Sequence, residues 1–249
     1  MRKPVIAGNW KMYKTPAETA GFFEKFRPLV AQSSHCEIVI CPPFTNLAAA
    51  VEAANGTAIA IGAQNIAWAK EGAFTGEISG PMICAAGATY TIVGHSERRQ
   101  YFGETEETVL QRTLAALEFG LQPIVCVGER LEERQDGRTE EVLLRQFHHG
   151  IAGLNGEQFA QIVIAYEPVW AIGTGMTATP EIAAEAHRVI REQARARFGH
   201  EAGDALRILY GGSVKPENAS SLMAQAEIDG TLVGGASLDP VGFAAIVNY

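Results

Sequence analysis

Short runs of apolar, largely β-branched residues recur eight times along this chain, at 4–10, 37–43, 57–65, 89–97, 122–129, 161–168, 206–214 and 230–238. Several are almost continuously hydrophobic, as in Ile38-Val39-Ile40, Ile124-Val125-Cys126-Val127 and Ile162-Val163-Ile164-Ala165. A strand with one wet face alternates apolar and polar residues. A strand that is apolar throughout is covered on both faces, as in a parallel sheet. Parallel neighbours need a crossover of a dozen or more residues, and the gaps between the runs are long enough.

The gaps also carry helix punctuation. Thr179-Pro180-Glu181 offers an N-cap, a proline for the first helical position and an acid for the positive end of the dipole. Lys215-Pro216-Glu217 and Asp239-Pro240 place proline in the same way. The stretch 105–119 puts Val109, Leu110, Leu114 and Leu117 on one face before Gly120 ends it. Eight strand–helix units in 249 residues match the size of a closed (β/α)8 barrel, with an open doubly wound sheet as the competing arrangement. No linker or composition break interrupts the rhythm, so residues 1–249 read as a single α/β domain.

Composition narrows the partners. With 47% hydrophobic and 19% charged residues the chain can bury a large core. No apolar run approaches the roughly 18 residues of a membrane span, and the three apolar residues after Pro4 are too few for a secretory signal. A cytoplasmic protein without a membrane partner is expected. Lys and Arg total 20 against 28 Asp and Glu, for a net charge of -8. No basic cluster offers a nucleic-acid surface, whereas a small anion could still be held by backbone N–H groups and one lysine. Cys36, Cys41, Cys84 and Cys126 form no CxxC pair and are expected reduced and mostly buried.

In α/β folds the chemistry gathers at the C-terminal ends of the strands. Here those ends carry Asn9-Trp10-Lys11, Gly94-His95-Ser96-Glu97-Arg98, Gly128-Glu129, Tyr166-Glu167-Pro168, Gly211-Gly212-Ser213 and Gly234-Gly235. Glu167 follows the most apolar run, so burial is expected to raise its pKa toward the range of a general base. Gly211-Gly212-Ser213 and Gly234-Gly235 follow the last two strands, where barrels commonly bind phosphate through backbone N–H groups. Gly173-Thr174-Gly175-Met176-Thr177-Ala178 matches a dinucleotide fingerprint but sits away from its strand, so nucleotide binding is disfavoured. The segment 168–175 reads instead as a movable lid with an exposed apolar tip, Val169-Trp170-Ala171-Ile172. His35, His148, His149, His187 and His200 read as ordinary surface or hydrogen-bonded residues, and no metal site is expected.

Five stretches together resemble the triosephosphate isomerase family. They are Gly8-Asn9-Trp10-Lys11-Met12, Gly94-His95-Ser96-Glu97-Arg98-Arg99, the run from Ala165 to Gly175 (AYEPVWAIGTG), Tyr210-Gly211-Gly212-Ser213-Val214 and Val233-Gly234-Gly235-Ala236. They span the chain, and their order makes the resemblance specific. It implies a TIM barrel that interconverts dihydroxyacetone phosphate and glyceraldehyde 3-phosphate through an enediolate, in glycolysis and gluconeogenesis, with no metal or organic cofactor. Carried over residue by residue, it makes Glu167 the base, His95 a neutral electrophile ahead of a short helix, and Lys11 and Asn9 polar partners of the substrate. Gly173, Ser213, Gly234 and Gly235 become phosphate-binding positions, and Glu97 orients Lys11 or His95. Gln64-Asn65 with 72–77 resembles the family's dimer loop, implying a homodimer through the loop containing Thr75. Tyr13 stands where many members carry a smaller polar residue.

Three other readings of the residues stay open at this point. Glu97, Glu129 and Glu167 could serve a glycoside hydrolase, Lys11 a Schiff-base aldolase, or the glycine pairs a phosphate binder without activity.

Overall fold

The computed structural model describes residues 2–172 and 177–249. Eight strands form a closed, all-parallel barrel in chain order: β1 (Val5–Asn9), β2 (Glu37–Cys41), β3 (Ile59–Ala63), β4 (Tyr90–Val93), β5 (Gln122–Val127), β6 (Val163–Tyr166), β7 (Arg207–Tyr210) and β8 (Gly230–Val233). The last strand closes on the first in the register Val5↔Gly230, Ile6↔Thr231, Ala7↔Leu232 and Gly8↔Val233. The closed sheet, rather than an open doubly wound one, is therefore the architecture.

Continuous apolarity has the expected cause. Alternate residues such as Val5, Ala7, Val39, Ile92, Cys126, Ala165 and Leu209 fill the inside of the barrel. Their neighbours Ile6, Ile38, Ile40, Val93, Val125, Ile164 and Ile208 pack outward under the helices. Each strand thus loses solvent on both sides.

The long crossovers include helices Pro16–Val30, Glu106–Glu118, Thr139–Gly150 and Pro180–Phe198. The capping expectations hold: Thr179 accepts from the Ile182 N–H at 3.3 Å, and Asp239 from the Gly242 N–H at 2.6 Å. Within Glu106–Glu118 the buried stripe differs from the expected one. It runs through Val109, Arg112, Thr113 and Ala116, leaving Leu110, Leu114 and Leu117 only half-covered. The reason is Arg112, whose guanidinium is drawn inward by Glu104, Glu77, Asn65 and the Ile66 carbonyl.

Several apolar runs overshoot the strands they contain. Beyond Val93 the chain turns into helix Ser96–Phe102, and beyond Val233 it enters a short 3-10 helix, Gly235–Leu238. These departures from the ladder occur where the backbone leaves the barrel mouth. Outside the barrel, fully buried His187 bonds through Nδ1 to the Glu227 carbonyl at 3.1 Å, and burial lowers its pKa to about 3. No helix among the described residues is long and apolar enough to cross a membrane.

Candidate active site

At the C-terminal mouth of the barrel, a cleft of about 280 Å³ is lined by Asn9, Lys11, His95, Glu167, Ser213, Gly234 and Gly235. Of the residues that the family resemblance placed at the base, the electrophile and the substrate contacts, all are therefore in one place except Gly173, which lies outside the described residues. The strands explain the convergence. Asn9 ends β1, and Lys11, His95, Glu167, Ser213 and Gly234 follow β1, β4, β6, β7 and β8 by one to three residues.

Lys11 is held in the left-handed region, with φ 51°. A side chain with a Cβ adopts this at a cost of about 1–3 kcal/mol and stays there only where its surroundings insist. Its N–H donates to Asn9 Oδ1 at 3.0 Å, and its carbonyl accepts from Gln64 Nε2 at 2.8 Å. Its Nζ pairs with Glu97 Oε1 at 2.5 Å. Glu97 thus orients Lys11 through its carboxylate and meets His95 through its backbone.

His95 caps helix Ser96–Phe102, accepting the Glu97 N–H on Nδ1 at 3.2 Å. With Nδ1 an acceptor, the ring proton resides on Nε2, which faces Glu167 Oε1 at 2.9 Å. The other carboxylate oxygen of Glu167 accepts the Ser96 N–H, also at 2.9 Å. Both side chains are buried, His95 at 6% exposure and Glu167 at 2%.

The electrostatics correct two expectations. Burial acts to raise the Glu167 carboxyl, but His95, the Ser96 N–H and Lys11 stabilise the carboxylate more and hold it below its usual 4.5. Burial likewise opposes a charge on His95, yet the touching Glu167 outweighs it and raises the imidazole above its ordinary value. The low-dielectric setting is legible in the apolar run before Glu167, whereas the direct contact between the two groups is not. Beneath them lies fully buried Cys126, whose thiol is pushed well above its usual pKa by burial and by the Glu167 charge.

Space around Glu167 is made by glycines. A Cβ on Gly128 would fall 1.7 Å from the Glu167 carbonyl oxygen, and one on Gly211 would fall 2.9 Å from Glu167 Cγ. Gly211 therefore makes room for the carboxylate, a purpose its place in a glycine pair did not reveal. Gln146 grips Gly128 from both sides, accepting its N–H at 2.6 Å and donating to its carbonyl at 3.2 Å. The available signal was a polar residue on a buried helical stripe beside Leu143 and Phe147.

The segment after Glu167 departs from the expected exposed tip. Val169–Ala171 is a short 3-10 helix in which Trp170 and Ala171 are buried, with Val169 and Ile172 half-buried. The Trp170 indole N–H donates to Glu129 Oε1 at 2.8 Å, alongside the Tyr166 hydroxyl at 3.1 Å. The remainder of the proposed lid, 173–175, lies outside the described residues. Glu129 is fully buried beneath these rings and does not line the cleft, so it is not placed as a second glycosidase carboxylate. Among the described residues no cluster of His, Cys, Asp or Glu could hold a metal ion.

This arrangement can move a proton at a carbon held next to Glu167, while His95 and Lys11 meet negative charge on neighbouring oxygens. Comparison with known proteins gives a consistent picture. A family model described as triosephosphate isomerase matches residues 4–249. The chain is 75% identical to a triosephosphate isomerase of Solibacter usitatus (strain Ellin6076), with all of both chains covered. It is 56% identical to one of Moorella thermoacetica, over 100% of this chain and 99% of the relative. The crystal structure of the Bartonella henselae triosephosphate isomerase superposes with a TM-score of 0.89 at 40% identity, covering 99% of this chain and 98% of that one.

Proposed function

This chain belongs to the triosephosphate isomerase family and interconverts dihydroxyacetone phosphate and D-glyceraldehyde 3-phosphate in glycolysis and gluconeogenesis, and we propose that Glu167, His95, Lys11 and Asn9 carry the reaction. Glu167 takes a proton from the carbon beside the carbonyl and returns it to the adjacent carbon. His95 donates its Nε2 proton in a hydrogen bond to the oxygen that becomes negative in the enediolate. Glutamate base with neutral histidine is the division of labour established for this family. Substrate between the two residues takes over the hydrogen bond that Glu167 receives from His95 at rest. That weakens the hold of His95 on the carboxylate while the burial that opposes its charge remains, so Glu167 becomes a stronger base. His95, relieved of the carboxylate, keeps burial and the Glu97 N–H at Nδ1, which both favour the neutral ring.

Lys11 faces both the phosphate and the developing oxyanion, and Asn9 adds an amide. One preorganised donor of this kind is worth about 3 kcal/mol of barrier. Backbone N–H groups of Ser213, Gly234 and Gly235, with that of Gly173 from beyond the described residues, bind the phosphate. The observation that carries the reading is the Glu167 carboxylate spanning His95 Nε2 and the Ser96 N–H in the wall of the cleft that also holds Lys11. The test is a coupled assay in which product dihydroxyacetone phosphate is reduced by NADH and glycerophosphate dehydrogenase. Rapid turnover by the wild type and its loss in Glu167→Gln are expected; an active variant would reject Glu167 as base.

Residues 1–249 act in this reading as one domain, and two copies form a homodimer through the loop bearing Thr75. Supporting the dimer, Trp68 and Phe74 are 43% and 42% exposed on that loop, and Met12 and Tyr13 are 93% and 58% exposed beside the cleft. Thr75 is exposed at the tip, which Gly72 and Gly76 shape with φ of 143° and 93°. A cytoplasmic location fits four free cysteines, one of them, Cys84, exposed.

A further inference from the structure

Gln64 does not line the cleft and reaches none of the reacting side chains, yet it holds the backbone of Lys11. It follows the last residue of β3, and its carboxamide turns back across the mouth of the barrel. Nε2 donates one proton to the Lys11 carbonyl at 2.8 Å and the other to the Cys41 carbonyl, at the end of β2, at 2.9 Å. The Cys41 carbonyl also accepts the Trp10 N–H at 3.1 Å. One side chain thereby joins the ends of β2 and β3 to the backbone that carries Lys11. Together with Asn9 Oδ1 on the Lys11 N–H, it gives the left-handed residue a partner on each of its backbone polar groups.

We propose that Gln64 is a positioning residue for Lys11, holding its backbone so that Nζ stays over the cleft. Without the donor, Lys11 is free to relax toward a right-handed or extended conformation, which re-aims the side chain away from the cleft. Gln64 is also the residue from which the chain enters the loop 65–78, so this bond ties the base of the proposed dimer loop to the lysine. The inference rests on the reading of Lys11 as a residue of the catalytic site.

The experiment is a double-mutant cycle in the coupled assay. Gln64→Met keeps the length of the side chain and loses both donors; Gln64→Leu is the second variant. In the wild-type background each is expected to lower kcat/KM about tenfold, with KM raised and kcat lowered, because Lys11 faces both phosphate and oxyanion. The acid limb of the pH profile should not move, because neither variant touches Glu167 or the substrate's phosphate. In a Lys11→Met background, assayed at high enzyme concentration, the same substitutions should change kcat/KM less than twofold. Equal losses in both backgrounds, no loss in either, or failure of both variants to fold would overturn the proposal and leave Gln64 a purely structural residue. Full activity in Lys11→Met alone would instead overturn the site reading.

Discussion

Gly211→Ala isolates the position of the base from its chemistry. Gly211 has no left-handed backbone to lose, and its N–H to the Tyr166 carbonyl, at 2.7 Å, survives the change. The added methyl lands 2.9 Å from Glu167 Cγ and 3.2 Å from the Tyr166 carbonyl oxygen. Ordinary carbon contacts begin near 3.4 Å, so Glu167 must retreat by about half an ångström. It cannot retreat freely, because both carboxylate oxygens are tied at 2.9 Å. Misplacing a reacting group by about 1 Å costs on the order of a hundredfold, so half that displacement should lower kcat about tenfold or somewhat more. Overpacking should also cost about 1–2 kcal/mol of stability. The measurements are kcat and KM in the coupled assay with a thermal melt alongside. KM should stay within about threefold, since the change does not reach the phosphate. Gly235→Ala is the control: a Cβ there meets nothing within 4 Å, so any effect should fall on KM through the phosphate side. An unchanged kcat in a folded Gly211→Ala enzyme would refute the argument that this glycine sets where the carboxylate stands.

Further outcomes follow from the same geometry. Glu167→Asp retracts the base by one methylene, and kcat should drop about a hundredfold or more with little change in KM; an unchanged kcat rejects the assignment. Because its neighbours hold the Glu167 carboxyl below its usual value in the free enzyme, direct titration of that carboxyl by infrared difference spectroscopy against Glu167→Gln should place it below the ordinary glutamate range, and a value above that range would contradict the resting contacts. His187 is buried neutral with a pKa near 3, so the unfolded chain takes a proton below about 6.5 that the folded chain refuses. Stability should therefore fall with pH through this window, by about 2 kcal/mol from pH 7.5 to 5, and His187→Gln should flatten Tm against pH; parallel curves would refute it. Thr75→Arg should weaken the dimer at least a hundredfold and lower activity with it, as sedimentation and assay would show; a fully active monomer refutes the dimer loop.

Much of this molecule could be read from its residues because two signals were strong. Strands buried on both faces need continuous β-branched runs, and all eight runs contain a strand. The polar cluster was visible because a closed parallel barrel puts every strand's C-terminal end at one mouth. What escaped was set by contacts between residues distant in sequence. Nothing near Glu167 says that His95 lies 2.9 Å away, so the direction of its pKa was misjudged. Trp170 looked like an exposed lid residue because its partner, Glu129, comes from the preceding strand's end. Arg112 displaced leucines from the expected buried stripe because four partners surround its guanidinium. Gln64 and Gln146 act on backbone groups, and a carboxamide in sequence does not say which peptide it will hold.

The pairing of β1 with β8 has a consequence for how the molecule is made. Residues 5–8 leave the ribosome some 225 residues before their partners at 230–233. At 5–20 residues per second, the first strand waits roughly 10 to 45 s with one edge unpaired. Lys11 and Gly234 face each other only after that seam shuts, so a nascent chain passes through a long open stage with a sticky margin and no catalytic power. The enzyme's vulnerability to aggregation is thus concentrated in synthesis, and a slowed or truncated translation product is the species a chaperone would have to shield.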